Sequence, residues 1–338
     1  MKKVVVIGGG TGNFTILSGL REYPLDITAV VAMADDGGST AALRDEFGIL
    51  PPGDVRQCLV ALSEESELLR KLFNYRFDRG VFFGHTFGNL FITALERVTG
   101  NFEKAVEEAS DILKVKGKVL PVTTDDVRLC CKLDNRRIVK GEHKLDEFDF
   151  RKYKKREFYL EPEGKINPKV KKAILEADLV VLSPGTLSTS LLANLVVKGF
   201  PEALKKTKAK FIYISNLVNK PEENEDWCLE DYLEELKKYS GRGFDLVLFN
   251  VTEPSTEVKK RYLAHKETPV KMKNDNLENV IRLDLISNQI AAKSRADMIK
   301  RSFIRHDSDK IAAAIMEVLD RDQNSRSILN AQGKLSKK

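Results

Sequence analysis

Short apolar runs alternate with segments of helical spacing along most of the chain. The first run, Val4 to Ile7, is β-branched and stops at three glycines, after which Phe14, Leu17 and Leu20 recur at helical spacing. A second apolar run, Asp26 to Met33, follows. This order predicts a βαβ unit, whose parallel strands need helices to cover them.

The same alternation returns in the second half of the chain. We predict helices at Lys169–Glu176, from about Ser188, at Leu229–Tyr239 and at Ser308–Leu319, and strands at Asp178–Leu182, Lys210–Ser215 and Leu246–Asn250. Residues 54–110 predict a helical block, and residues 119–160 predict a β-hairpin insertion with a turn at Asp134 and Asn135. The predicted fold class is therefore α/β: a Rossmann-like, mostly parallel sheet with helices on both faces, plus these two additions. We expect one domain over residues 1–321 and a flexible tail over residues 322–338.

Composition and charge exclude several classes of protein. The 42% hydrophobic and 31% charged residues favour a folded globular chain, and the net charge of +6 is a small difference between 56 basic and 50 acidic residues. The densest basic run, Arg151 to Arg156, contains one aromatic residue, Tyr153, so we favour a solvated surface and expect no nucleic-acid partner. The four cysteines have no CxxC spacing, and the apolar run after Met1 is too short for a signal peptide or a membrane span. We therefore expect reduced thiols, no membrane span and a cytoplasmic protein.

Four polar loops follow predicted strands and carry the candidate chemistry. They lie at Gly8 to Asn13, Asp35 to Thr40, Ser183 to Ser190, and from Asn216 onward. The carboxyl ends of parallel strands line one crevice, so we expect these loops to meet on one ligand. Glycines let the backbone approach a phosphate, and the N–H groups of the following helix attract an anion; a diphosphate fits this geometry. A tight turn without a ligand is the alternative for the first loop.

The first two loops also match an NAD site weakly. Gly8-x-Gly10-x-x-Asn13 has an asparagine where the dinucleotide fingerprint has its third glycine, and Asp35 lies roughly where an acidic ribose ligand would fall. Two carboxylates beside paired glycines are unusual for a simple turn. Asp35 and Asp36 are therefore candidates to bind ribose hydroxyls, to hold Mg²⁺ or to orient a nucleophile.

Two further segments place polar side chains at predicted helix starts. Asp54 is either the N-cap of its helix or a ligand contact. Arg56, in the same first turn, is unfavourable for the helix dipole, which favours a phosphate or carboxylate partner for it. His85 and Asn89 precede and open the next helix, and His85 is either a ligand contact or a structural histidine.

No motif of a hydrolase or a metalloprotease is present. The sequence has no GxSxG elbow and no HExxH, and its four histidines are scattered. Ser183, followed by Pro184, is interpreted as a turn residue rather than a nucleophile. We discard both classes.

Five motifs in order resemble the YvcK branch of the CofD-like family, also called gluconeogenesis factors. They are GGGTG at 8–12, ADDGGS at 34–39, LPPGDVR at 50–56, GHTFGNL at 84–90 and SPGTLSTS at 183–190, and RHD at 305–307 continues the series. The chain departs from the family pattern at Ser183 (usually glycine), at Ser188 (usually tyrosine) and in the loop 219–223. The resemblance spans the chain up to its tail.

The resemblance implies a Rossmann-like fold, UDP-N-acetylglucosamine as ligand, and a regulatory role in peptidoglycan supply and cell shape during gluconeogenic growth. No reaction is implied for this branch, whereas a regulatory protein partner and a homo-oligomeric state are expected. By position, Tyr262 would lie near the uracil or sugar and Arg305 near the diphosphate. The candidate ligand-binding residues are Gly9, Gly10, Thr11, Gly12, Asn13, Asp35, Asp36, Gly37, Gly38, Ser39, Asp54, Arg56, His85, Asn89, Pro184, Gly185, Thr186, Ser190, Asn216, Tyr262 and Arg305.

The sister CofD branch implies an enzyme instead. It resembles a 2-phospho-L-lactate transferase of coenzyme F420 synthesis, with Mg²⁺ at an aspartate of the second loop. Asp35 or Asp36 would be the catalytic counterpart here, with Asp36 as the metal ligand, and an acceptor alcohol would attack a nucleotide-activated phosphate. A binding regulator is the leading hypothesis and this transferase the alternative; an NAD-dependent oxidoreductase is the third.

Overall fold

A computed structural model of the chain describes residues 1–256, 259, 266–287 and 304–320. The predicted ligand residue Tyr262 and the predicted tail, 322–338, lie outside the described residues. The strands are β1 Lys2–Gly8, β2 Leu25–Val31, β3 Lys118–Pro121, β4 Arg128–Leu133, β5 Ile138–Lys140, β6 Arg156–Glu161, β7 Leu179–Leu182, β8 Lys210–Ile214, β9 Val218–Asn219, β10 Leu246–Asn250, β11 Thr268–Pro269 and β12 Val280–Leu283.

Seven of these strands form one parallel sheet at the centre of the fold, in the order β12-β10-β8-β7-β1-β2-β3. Strand β1 lies inside the sheet, and its residues Val4 to Ile7 are almost completely buried because helices cover both faces. The predicted Rossmann-like α/β class is confirmed.

Helices surround the sheet and connect its strands. They are α1 Gly10–Leu20, α2 Gly38–Phe47, α3 Gly53–Leu62, α4 Glu67–Asn74, α5 Phe87–Thr99, α6 Phe102–Ile112, α7 Glu142–Asp146, α8 Pro168–Glu176, α9 Ala193–Leu195, α10 Phe200–Lys206, α11 Pro221–Asn224, α12 Leu229–Ser240 and α13, residues 308–320. A π-helical turn, Leu187–Leu192, stands where a helix was predicted from about Ser188 and runs directly into α9. Helices α3 to α6 are the predicted helical block.

The β insertion is shorter than predicted. Residues 119–121, which the pattern assigned to it, instead pair with β2 as part of the edge strand β3 of the main sheet. The insertion proper consists of β4, β5 and β6, an antiparallel sheet in the order β5-β4-β6, and its predicted turn at Asp134 and Asn135 is confirmed. The edge strand was misassigned because a short buried strand gives the same alternation in either sheet.

Strand β2 pairs with β1 on one side, and the later strand β7 pairs with β1 on its other side. The direction in which strands are added to the sheet therefore reverses at β1. This reversal places the loops after β1 and β7 side by side at the carboxyl edge of the sheet, the usual position of a ligand in such folds. Within the described ranges, no helix is both long and apolar enough to cross a membrane.

Candidate functional site

The glycine loop after β1 is packed tightly against two other predicted loops. A Cβ atom added at Gly12 would lie 1.9 Å from the carbonyl oxygen of Pro184, and one added at Gly10 would lie 2.4 Å from Oδ1 of Asp54. Real Cβ atoms do not approach so closely, so these positions accept glycine alone unless their neighbours move. Three candidate segments therefore meet at the start of α1.

The start of α1 has the properties of an anion site. Gly9 precedes the helix in an extended conformation and offers no side chain to cap the first N–H groups. Helix α1 is 11 residues long, and no acidic residue occupies its first turn. Its uncapped N–H groups and its dipole favour negative charge at this point.

Thr11 and Asn13, the polar residues of the glycine loop, face protein groups. The hydroxyl of Thr11 lies 3.5 Å from Oε1 of Gln57, and Nδ2 of the buried Asn13 donates to the carbonyl oxygen of Val30 at 3.2 Å. Asn13 thereby holds α1 against β2. Its predicted contact with a ligand stays a prediction.

The loop after β7 closes the other side of the site. Gly185 and Asn216 exchange two hydrogen bonds: the Gly185 N–H donates to Oδ1 of Asn216 at 3.1 Å, and Nδ2 of Asn216 donates back to the Gly185 oxygen at 2.8 Å. Ser190 approaches the glycine loop, since a Cβ at Gly9 would lie 2.8 Å from its Oγ. The side chain of Asn216 thus fixes the backbone of this loop, and Thr186 directly precedes its π-helical turn.

The second predicted loop adds two carboxylates. Oδ1 of Asp35 accepts from the Gly37 N–H at 3.0 Å, and Oδ1 of Asp36 accepts from the His143 N–H at 2.8 Å. Gly37 is the N-cap of α2, whose first residues are Gly38 and Ser39. The carboxylates therefore stand where β2 ends, joined to α2 and to the β insertion.

A third carboxylate, Glu142, was missed by sequence reasoning. It is the first residue of α7 in the β insertion, 107 positions after Asp35, and nothing in the sequence links the two. Burial, followed by repulsion from Asp35, raises the pKa of Glu142 well above its usual range, with smaller contributions from Asp146, Asp54 and Asp36. Burial likewise raises the pKa of Asp35, and the charge of Asp36 adds to the effect. The site is thus acidic on one side of the glycine loop.

This acidic side suits a cation that also binds a ligand. Among the described residues, no group of three or more His, Cys, Asp or Glu side chains is arranged to hold a metal ion by itself. Mg²⁺ is commonly held by one or two carboxylates together with phosphate oxygens of a ligand. Asp35 and Asp36 are oxygen ligands of this kind, and a cation would relieve the repulsion between them, which adds to the effect of burial on the pKa of Asp35.

Asp54 does not cap its helix, so the N-cap interpretation is wrong. Pro52 precedes α3, and Asp54 lies within the first turn. Its carboxylate instead faces the glycine loop, close to Gly10, and Oδ1 lies 3.4 Å from Nε2 of Gln57. The rigid prolines start the helix early and leave the aspartate on its inner face.

The remaining polar candidates connect structural elements. Nε of the buried Arg56 donates to Oδ1 of Asn89 at 2.9 Å, which ties α3 to the first turn of α5. Nδ1 of His85 lies 2.9 Å from Oγ of Ser39, which joins the segment before α5 to α2. The hydrogen bond between Arg56 and Asn89 explains how both side chains can be buried without a ligand. Their predicted role in binding stays a prediction.

Arg305 lies in the segment that enters α13. The neighbouring His306 forms a β-bridge with Ile286, and its buried imidazole hydrogen-bonds to the backbone of Ser215. Because Ser215 directly follows β8 and precedes Asn216, this segment adjoins the loops described above. Sequence spacing gives no signal for this neighbourhood, because the contact depends on the last crossover of the sheet.

Comparisons with known proteins agree with one another. The model of the family described as 2-phospho-L-lactate transferase CofD matches residues 4–291. The putative gluconeogenesis factor of Clostridium acetobutylicum is 41% identical over 320 residues, which cover 94% of this chain and 69% of that protein. The gluconeogenesis factor of Bacillus subtilis is 38% identical, over 94% of this chain and 98% of its own length.

A solved structure supports the same relationship. The crystal structure of a UPF0052 family protein from Bacillus halodurans superimposes with a TM-score of 0.84 and 36% sequence identity. The match covers 94% of this chain and 99% of that one. The similarity therefore extends over nearly the whole fold.

Proposed function

The chain belongs to the CofD family and to its group of gluconeogenesis factors, and we propose that it binds the nucleotide sugar UDP-N-acetylglucosamine in a regulatory role. In this proposal the protein adjusts cell-wall supply and cell shape during gluconeogenic growth, acting in the cytoplasm through a protein partner.

The start of α1 is the observation that carries the proposal. A glycine loop that excludes side chains precedes an uncapped helix start, and two further loops enclose it. A diphosphate supplies the two adjacent anionic groups that such a helix start binds well. Arg305, near the end of β8, would add positive charge on the opposite side of the diphosphate.

The carboxylates favour a sugar over a simple phosphate ester. Asp54, beside Gly10, is an acceptor for ribose or hexose hydroxyls, and such bonds would offset its repulsion of the diphosphate. Asp35 and Asp36 would bind further hydroxyls or a Mg²⁺ ion shared with the phosphates. Neither role requires a reaction.

A transferase is the second candidate, since the matching family model is described as a 2-phospho-L-lactate transferase. Its chemistry needs an acceptor alcohol, a nucleotide-activated phosphate and a metal ion near Asp36. Turnover of a nucleotide-activated phospholactate that Asp36→Asn abolishes would establish this function in place of the regulatory one.

Isothermal titration with UDP-N-acetylglucosamine, with and without Mg²⁺, tests the proposal. We expect saturable binding that Gly10→Asp abolishes and Arg305→Ala weakens, because the first fills the phosphate position and the second removes a cation. Gly243→Ala is the matched control, since a Cβ there meets nothing within 4 Å. Unchanged binding in both site variants would refute the site; binding of GDP that needs Mg²⁺ would favour the transferase, and binding of NADH would favour an oxidoreductase.

A further inference from the structure

A cavity of about 540 Å³ lies behind the loop that follows β7, between the β insertion and α12. Leu187, which opens the π-helical turn of that loop, forms part of its wall. Five cationic side chains line it: Lys132, Lys154, Lys155, Arg156 and Lys238. Three of them come from the basic run 151–156, which the candidate nucleotide site does not use.

Part of this positive charge is not neutralised locally. The cavity also contains the carboxylates Asp134, Glu157 and Glu235, so cations outnumber anions by five to three. Lys238 lies 3.6 Å from Glu235. Within the part of the chain that the structure describes, no carboxylate lies within ion-pair distance of the ammonium groups of Lys132, Lys154 or Lys155. Three lysines in one cavity therefore repel one another and favour an anion.

Arg156 is held in a fixed position on one wall. Its guanidinium lies 5.1 Å from the centre of the Phe150 ring and 5.4 Å from that of Trp227, and Nη1 donates to the carbonyl oxygen of Glu223 at 2.6 Å. Among the described residues, no acceptor takes the other guanidinium N–H groups. A pre-positioned guanidinium loses little entropy on binding and matches the geometry of a phosphate.

We propose that this cavity is a second binding site, for a small organic molecule that carries at least two phosphate groups. Its volume is that of a typical small-molecule site. Arg156 binds one phosphate through the free side of its guanidinium, and Lys132, Lys154 and Lys155 bind the other. The partly buried Trp227 forms the apolar wall. This site is separate from the glycine loop and does not depend on the function proposed for that loop.

The sequence contains a single tryptophan, so its fluorescence reports directly on this cavity. The experiment titrates the full chain with fructose 1,6-bisphosphate and follows Trp227 emission, with inorganic phosphate at equal ionic strength as the control that carries a single phosphate group. It is repeated in the Gly10→Asp background, which blocks the diphosphate position at α1. We expect saturable bisphosphate binding in both backgrounds and at least tenfold weaker binding of inorganic phosphate.

Charge variants locate the binding. Lys154→Ala combined with Lys155→Ala should weaken bisphosphate binding roughly tenfold or more. Lys171→Ala combined with Lys172→Ala, on the exposed face of α8, removes the same charge elsewhere and should leave the affinity unchanged. A flat emission titration would overturn the proposal. So would equal weakening in both double variants, or a response lost in Gly10→Asp, which would place the anion at α1.

Discussion

The backbone N–H of Ser188 donates a 2.9 Å hydrogen bond to Oε1 of Glu223, and the Ser188 hydroxyl binds the same oxygen. Both residues are buried. The contact joins the loop after β7, which faces the glycine loop, to α11. Because Arg156 also binds the carbonyl oxygen of Glu223, α11 connects this loop to the β insertion.

Substitution of Glu223 should therefore loosen the loop that encloses the ligand. Glu223→Ala removes the acceptor for two buried donors of Ser188, which should cost about 1–3 kcal/mol of unfolding free energy. Affinity for UDP-N-acetylglucosamine should fall roughly tenfold, because binding must then order the loop. Urea unfolding and titration calorimetry measure the two effects. Glu223→Gln, which keeps one acceptor, should lose less of both, and the exposed Glu225→Ala should change neither. Full affinity in Glu223→Ala would contradict the proposed role of the loop.

Gly12→Ala tests the contact between the glycine loop and Pro184. The new Cβ would lie 1.9 Å from a backbone oxygen, which cannot rotate away. We expect a loss of about 1–3 kcal/mol of stability and at least tenfold weaker nucleotide-sugar binding, since the loop must shift. Gly243→Ala serves as control, because no atom lies within 4 Å of its added Cβ. Equal behaviour of the two variants would mean that the loop is not closely packed in solution.

Periodicity predicted the parallel core because each strand is short, apolar and bounded by polar loops. The run Val4 to Ile7 is an example, because β-branched residues that are buried on both faces favour a strand inside a sheet over other structures. Strand β12 was missed. Val280–Leu283 form a short and partly exposed edge strand that Arg282 interrupts, so no continuous apolar run marks it.

Only the part of the candidate site that lies in the loops at the strand ends could be predicted from the sequence. Loops after parallel strands were expected to line one crevice, and the structure brings the first and third of them together at Gly12 and Pro184. Glu142 and Glu223 lie in segments without a motif, and their positions depend on how the β insertion and α11 pack, which spacing does not encode. For Asp54 the sequence left an N-cap and a ligand contact open, and the structure excludes the N-cap because Pro52 occupies that position.

Glu142 should make the stability of the protein depend on pH. Burial and neighbouring carboxylates raise its pKa in the folded state, so its stabilising contribution is full below the unfolded pKa and is lost as pH rises through the folded one. Glu142→Gln should therefore unfold at a higher temperature than the wild type at pH 8, and the difference should shrink toward pH 5. Mg²⁺ should raise the Tm of the wild type more than that of the variant at pH 8, because it relieves the same repulsion. Thermal scans at both pH values, with the exposed Glu147→Gln as control, test this. A difference that does not change with pH would contradict it.

His306 should produce the opposite dependence. Burial lowers its pKa to about 4, whereas the unfolded chain takes up a proton near the usual value of about 6.5. The contribution to stability is therefore full above the unfolded pKa and falls as pH drops from that value toward the folded one, by up to about 1.4 kcal/mol per pH unit. His306→Gln should be less stable than the wild type at pH 7, because it loses the bond to Ser215, but should lose less stability on moving to pH 5.

Urea unfolding at the two pH values measures this, with the exposed His143→Gln as control. If wild type and His306→Gln lose the same stability over this interval, the imidazole is not held neutral by burial, and the segment that carries Arg305 is more open to water than the structure indicates.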